Sequence, residues 1–284
     1  MRRAAALLAC SLLAACGDGE RQAAPPAPPQ RPAVGLCGEL GARMTGRVDT
    51  PAATELSGLV VSHTRPGVLW AHNDSGDSAR LLELGEDGHL RREVAVPGAE
   101  NVDWEDVAAR GDLIYVGDIG DNDSERPTIT IVRVRESGAP AGRQELRYAD
   151  GPHDAETLLV DPLDGSVAVV TKSFGGENRL YVAREGTLRR GPLVPVTPGE
   201  AVTAGDVSAD GHTVVLRTYD RALVWTRRKG ERLTQALRRK PCAAGVDLAR
   251  EGQGEALALA ENGRSFFTVA EGTRPPLRRY APVR

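Results

Sequence analysis

Five times along the chain, a serine or an acid heads a short apolar run: Ser57 in ELSGLVVS, Glu105 in NVDWEDVA, Glu156 in HDAETLLV, Asp206 in TAGDVSAD and Glu255 in GQGEALAL. The successive steps are 48, 51, 50 and 49 residues. A recurrence near 50 residues, with several strand-length segments in each period, predicts an all-β, five-bladed β-propeller. Each period is one blade, and each anchor opens the innermost strand of its blade. The alternative is a six-bladed ring.

Strands are predicted at 56–62, 68–71, 80–84 and 90–96 in the first period, and at 107–109, 113–116, 128–134 and 144–148 in the second. The third holds 158–160, 166–171, 179–183 and 187–196; the fourth holds 206–208, 213–217 and 222–226, with 233–239 reading equally well as helix or strand. The turns carry Pro-Gly, Asp-Gly and Asp-Pro-Leu-Asp-Gly, strong turn chemistry. The last period holds only three strands, 256–260, 265–270 and 277–281. The unassigned strand 41–48 therefore completes that blade and closes the ring, which removes free sheet edges.

The start of the chain reads as a targeting segment. Met1-Arg2-Arg3 is followed by an apolar stretch to Ala15, and Leu13-Ala14-Ala15-Cys16 looks like the lipobox of bacterial lipoproteins. The expected division is a signal peptide over 1–15, a lipidated Cys16 with a Pro-rich linker over 16–36, and one propeller domain over 37–284. The resemblance implies export across the inner membrane and anchoring in the cell envelope through the acylated Cys16. Of four cysteines, Cys10 leaves with the signal and Cys16 takes lipid. Cys37 and Cys242 remain, in an oxidising compartment, and a disulfide is the simplest use of the pair. Losing Arg2 and Arg3 takes the net charge from −3 to −5, so nucleic acid is a poor partner for this chain.

The first two strands of a blade form a hairpin. The start of the first and the end of the second thus lie on one face, and two polar rings converge on one channel mouth. The inner ring is Ser57, Glu105, Glu156, Asp206 and Glu255. The outer ring is Asn73, Asp74, Asp118, Asp121, Asn122, Lys172, Arg217 and Glu271. Carboxylates crowded on one axis repel, and each resists desolvation. Oxygen-only ligands with no Cys or His favour a hard cation of calcium type. The alternative is that each acid accepts backbone hydrogen bonds from the neighbouring blade. Lys172 and Arg217 are candidates to hold an anionic ligand beside the cation, or simply neutralise nearby carboxylates. No GxSxG elbow, HExxH or phosphate loop is present, so no catalytic residue is assigned. His72 and His153 lie near the expected mouth, and Trp70 and Trp104 read as blade packing.

LWAHNDSGD at 69–77, DWEDVA at 103–108, VGDIGDND at 116–123, DVSADG at 206–211 and QGEALAL at 253–259 resemble a group of secreted bacterial β-propeller lipoproteins. More distantly the chain is similar to the calcium-activated nucleotidases, the five-bladed apyrases, and more loosely to secreted propeller phytases. In the nucleotidases one Ser or Glu per blade surrounds a central calcium. Ser57, Glu105, Glu156 and Glu255 fit that pattern, while Asp206 departs from it, the family tending to Ser there. The resemblance implies a calcium-bearing envelope propeller that binds a ligand or an envelope protein. The alternative is a calcium-dependent phosphohydrolase using the acidic mouth with Lys172 and Arg217.

Overall fold

The computed structural model describes residues 35–283. The expected signal peptide, Cys16 and the linker as far as residue 34 lie outside the described residues. Within the described chain, short strands alternate with tight turns, and they form five four-stranded antiparallel meanders.

The described chain opens on β1 Leu40–Arg47. The first meander is β2 Leu56–Val61, β3 Val68–Asn73, β4 Arg80–Gly85 and β5 Leu90–Ala95. The second is β6 Trp104–Arg110, β7 Leu113–Asp118, β8 Ile129–Arg135 and β9 Pro140–Tyr148. The third is β10 Ala155–Val160, β11 Val167–Thr171, β12 Arg179–Arg184 and β13 Thr187–Leu193. A short parallel pairing of β13 with β9, Thr187 opposite Arg147, joins the second and third into one eight-stranded sheet. The fourth is β14 Val202–Val207, β15 Thr213–Thr218, β16 Ala222–Thr226 and β17 Cys242–Ala243. The last is β18 Ala256–Leu259, β19 Phe266–Val269 and β20 Pro276–Pro282, completed by β1 Leu40–Arg47 from the start of the described chain.

The first strands follow one another in a closed cycle, β2 beside β6, β6 beside β10, β10 beside β14, β14 beside β18 and β18 beside β2. Five apolar clusters fill the spaces between successive meanders. Trp70 and Trp104 pack between the first and second, and Leu56 and Phe267 between the first and last. Because each first strand is covered on both faces, β2, β10 and β14 are buried along their whole length, which selects continuous apolar or small residues over alternation. The outer strands β5 and β9 are largely exposed instead. The fold is thus all-β and propeller-like.

The 233–239 segment resolves as α1, Leu233–Ala236. Leu233, Ala236 and Leu237 are buried against Trp225 at helical spacing. The fourth strand of that meander comes later, as the two-residue β17. Cys37 and Cys242 are disulfide-bonded with their Cα atoms 5.5 Å apart. The bond ties the segment ahead of β1 to the outer strand of the fourth meander, beside the Leu40 N–H donating to the Gly245 carbonyl. Among the described residues no helix is long and apolar enough to cross a membrane.

Candidate functional site

Pairing in the first hairpins fixes the site. Leu56 lies opposite Asn73, Trp104 opposite Asp118, Ala155 opposite Thr171 and Val202 opposite Thr218. The start of each first strand and the end of each second therefore share one end of the ring. In all four the register slips by one residue at this level, and the extra residues are Ser57, Glu105, Glu156 and Thr203. A bulge re-aims a side chain and is common beside functional sites. In the last meander Glu255 stands just ahead of Ala256, which pairs with Val269.

The fourth position of this level is thus Thr203, and the sequence assigned it to Asp206. Thr203 Oγ1 donates to the Gly254 carbonyl at 3.0 Å, much as Ser57 Oγ donates to the Glu105 carbonyl at 2.7 Å. Asp206 lies deeper and accepts the N–H groups of Val207 at 2.7 Å and Leu259 at 2.8 Å. Asp106 does the same for Val107 and Leu158, both at 2.8 Å. These two buried acids brace one first strand to the next. Burial raises both, Asp206 to about 7.

The other acids gather at the mouth. Asp74, Asp103 and Glu105 each place an oxygen within 4.8 Å of the others', and Glu105, Asp154 and Glu156 do likewise. Glu105 belongs to both groups. Gly120 closes one wall: a Cβ there would meet Glu105 Oε1 at 2.2 Å and Asp103 Oδ2 at 2.5 Å. Burial, then Glu156, pushes the Glu105 carboxyl up to about 11. Burial raises Glu156 to about 8 although Lys172 opposes this. Burial also lifts Asp103 to about 6, with Asp74 adding to it. Asp74 and Asp154 are raised too, burial first.

Lys172 is the ammonium of this cluster. It bonds Glu156 Oε1 and stands 3.7 Å from Glu255. Burial disfavours its charge, but Glu156 more than restores it and holds its pKa up. The two partners move the same way because burial penalises the carboxylate while Glu255 competes for the same ammonium. Glu255 also accepts from Tyr219 Oη at 2.6 Å. It shares a hydrogen bond with Glu271, which burial and then Glu255 push up to about 8.

Several expected ligand-binding residues are used otherwise. Arg217 is wholly buried and paired with Glu251 at 3.3 Å, with its Nη1 also donating to the Ala256 carbonyl at 3.1 Å. Asn73 accepts from Thr54 and donates to Ala52 and Asp77. Asp118 is held by Arg126 at 2.7 Å. Asp121 caps the following turn through Glu125 and Arg126, and Asn122 is exposed. His72 is buried against Trp104 and held near 4 by burial. His153 bonds Asp150 at 3.1 Å and Tyr181 at 2.8 Å.

Asp103 and Asp154 were not singled out from sequence, yet their signal is there. Each stands two residues before its anchor, as Glu55 does before Ser57 and Gln253 before Glu255. Residues two apart on a strand share a face.

No protein-family model and no curated protein matches the sequence. Among solved structures, an auxiliary nutrient binding protein from Bacteroides thetaiotaomicron superposes with a TM-score of 0.50 at 11% identity, covering 81% of this chain and 69% of that one. The hydrazine synthase of Kuenenia stuttgartiensis gives a TM-score of 0.42 at 13% identity, over 78% of this chain. The match spans 57% of the hydrazine synthase chain. At such identities the first likeness speaks for the fold alone.

Proposed function

We propose that this protein is a five-bladed β-propeller of the cell envelope, lipid-anchored through Cys16 as the lipoprotein resemblance implies. It binds a ligand or a protein at the acidic mouth. A calcium-type cation is held there between Asp74, Asp103, Glu105, Asp154 and Glu156. The observation that carries the cation is Glu156: its Oε2 is buried and has no hydrogen-bond partner among the described residues, while its other oxygen is taken by Lys172. A buried carboxylate oxygen without a partner is costly, and a hard cation among oxygen ligands removes that cost.

Binding is favoured over phosphoester hydrolysis by the state of the two basic groups. Lys172 is committed to Glu156 and Glu255, and Arg217 is buried on Glu251. Neither is free to cradle a phosphate. Calorimetric titration of calcium into the protein tests the proposal. Wild type is expected to bind one ion, and Glu156→Gln to weaken it by roughly tenfold or more. Wild type and variant should both leave phosphate esters intact. No heat of binding sinks the cation, and calcium-dependent turnover of a phosphate ester replaces the binding role with hydrolysis.

A further inference from the structure

The stretch 227–240, RRKGERLTQALRRK, holds seven Lys or Arg against one Glu, in a chain whose net charge is −3. The structure decides which of these charges are free. Arg227 is buried on Asp161 at 2.9 Å, and Arg239 is paired with Glu231 at 2.8 Å. Arg228, Lys229, Arg232, Arg238 and Lys240 are exposed, and none forms an ion pair among the described residues. The stretch lies at the outer edge of the fourth meander, where the two-residue β17 pairs only with Leu223 and Val224 of β16. Beside it is a cleft of about 480 Å³ lined by Pro195, Leu223 and Pro241 together with Arg221, Arg238 and Lys240. Arg221 is turned partly inward on Glu200.

We propose that this edge rests on an anionic phospholipid surface. Free cations beside apolar side chains in one cleft match the boundary between phosphate headgroups and acyl chains. A nucleic-acid duplex would meet the charges but leave the apolar lining unused. The placement agrees: the segment that enters the described fold is tied at Cys37 to Cys242, two residues after Lys240. The acidic mouth is built on the first and second strands of the meanders, so contact through an outermost strand leaves it open. The inference deepens the envelope reading and rests on it only for a membrane being at hand.

The test uses the full chain carrying Cys16→Ser, so that no acyl chain is attached. It is floated with vesicles of phosphatidylcholine alone and with vesicles of equal parts phosphatidylcholine and phosphatidylglycerol. Each cation near such a surface is worth about fivefold in partition. Arg238→Glu with Lys240→Glu is therefore expected to remove most of a preference for the anionic vesicles, by roughly twentyfold or more. The same charge change at Arg143 and Arg189, exposed on the outer strands β9 and β13, should leave it largely intact. Raised salt should weaken it. An anionic preference that is absent, or that survives in the Arg238→Glu, Lys240→Glu protein while its melting temperature is unchanged, overturns the proposal. So does tighter binding to duplex DNA than to the anionic vesicles at equal ionic strength. Anchoring is read separately, by comparing acylated wild type with Cys16→Ser on the neutral vesicles.

Discussion

Melting the protein with chelator and then with calcium, at about pH 6.5 and about pH 8, reads the mouth directly. Without a cation, Glu105 and Glu156 keep protons in the folded state that they lose when unfolded, because burial raises both far above the ordinary glutamate value. A folded state that binds more protons loses stability as pH rises. The fall runs from the unfolded value of 4.5 up to the folded values. His72 works the other way, being held near 4 when folded, but its contribution ends by its unfolded value of 6.5. Glu83, held low by Arg65 and Arg92, titrates below the window. Between about pH 6.5 and about pH 8 each of the two glutamates costs about 2 kcal/mol, at about 1.4 kcal/mol per pH unit. Their sum, about 4 kcal/mol, is an upper figure for this pair, since the two carboxyls repel and titrate together; Glu271, Asp206 and Asp106, also raised by burial, act in the same direction. In a chain of this size about 1 kcal/mol moves the melting temperature by about 2–4 °C, so the chelated protein should melt about 10 °C lower at the higher pH. Calcium at about a hundred times its Kd adds about 2.7 kcal/mol, or about 5–10 °C. Its effect should be larger at about pH 8, where fewer protons must be displaced. A melting temperature of the chelated protein that stays flat or rises across this window refutes the reasoning. A calcium shift that ignores pH does the same for the site.

Asp206→Ala tests whether that acid braces strands or holds the ion: it strands the N–H groups of Val207 and Leu259. The expected cost is about 2–5 kcal/mol in urea melts, with calcium affinity unchanged. Cys37→Ser opens a crosslink spanning 205 residues. The chain-entropy model puts the loss at about 5 kcal/mol, read as a lower melting temperature that reducing agent also produces in wild type but not in the variant.

The strand positions were legible because turn chemistry and a period near 50 residues are local facts. The closing strand β1 and the Cys37–Cys242 pair followed from counting, three strands after Glu255 and two cysteines left over. The mouth was legible in outline: Glu105, Glu156 and Glu255 stand at the same level, where the first strands begin. Thr203 was hidden because a spacing argument tolerates a slip of three residues, and Asp206 offered a carboxylate near the expected step.

Sequence alone thus determined the repeat, the hairpins and the kind of side chain that opens each first strand, since these depend on neighbours along the chain. Only the tertiary structure decided which charges are free. Lys172 and Arg217 looked alike as residues, yet one reaches the acidic ring and the other is sealed against Glu251. The difference is desolvation and the partner across the ring, set by residues dozens of positions away. The same holds for the exposed basic edge, whose charges stand out only once Arg227 and Arg239 have found their acids.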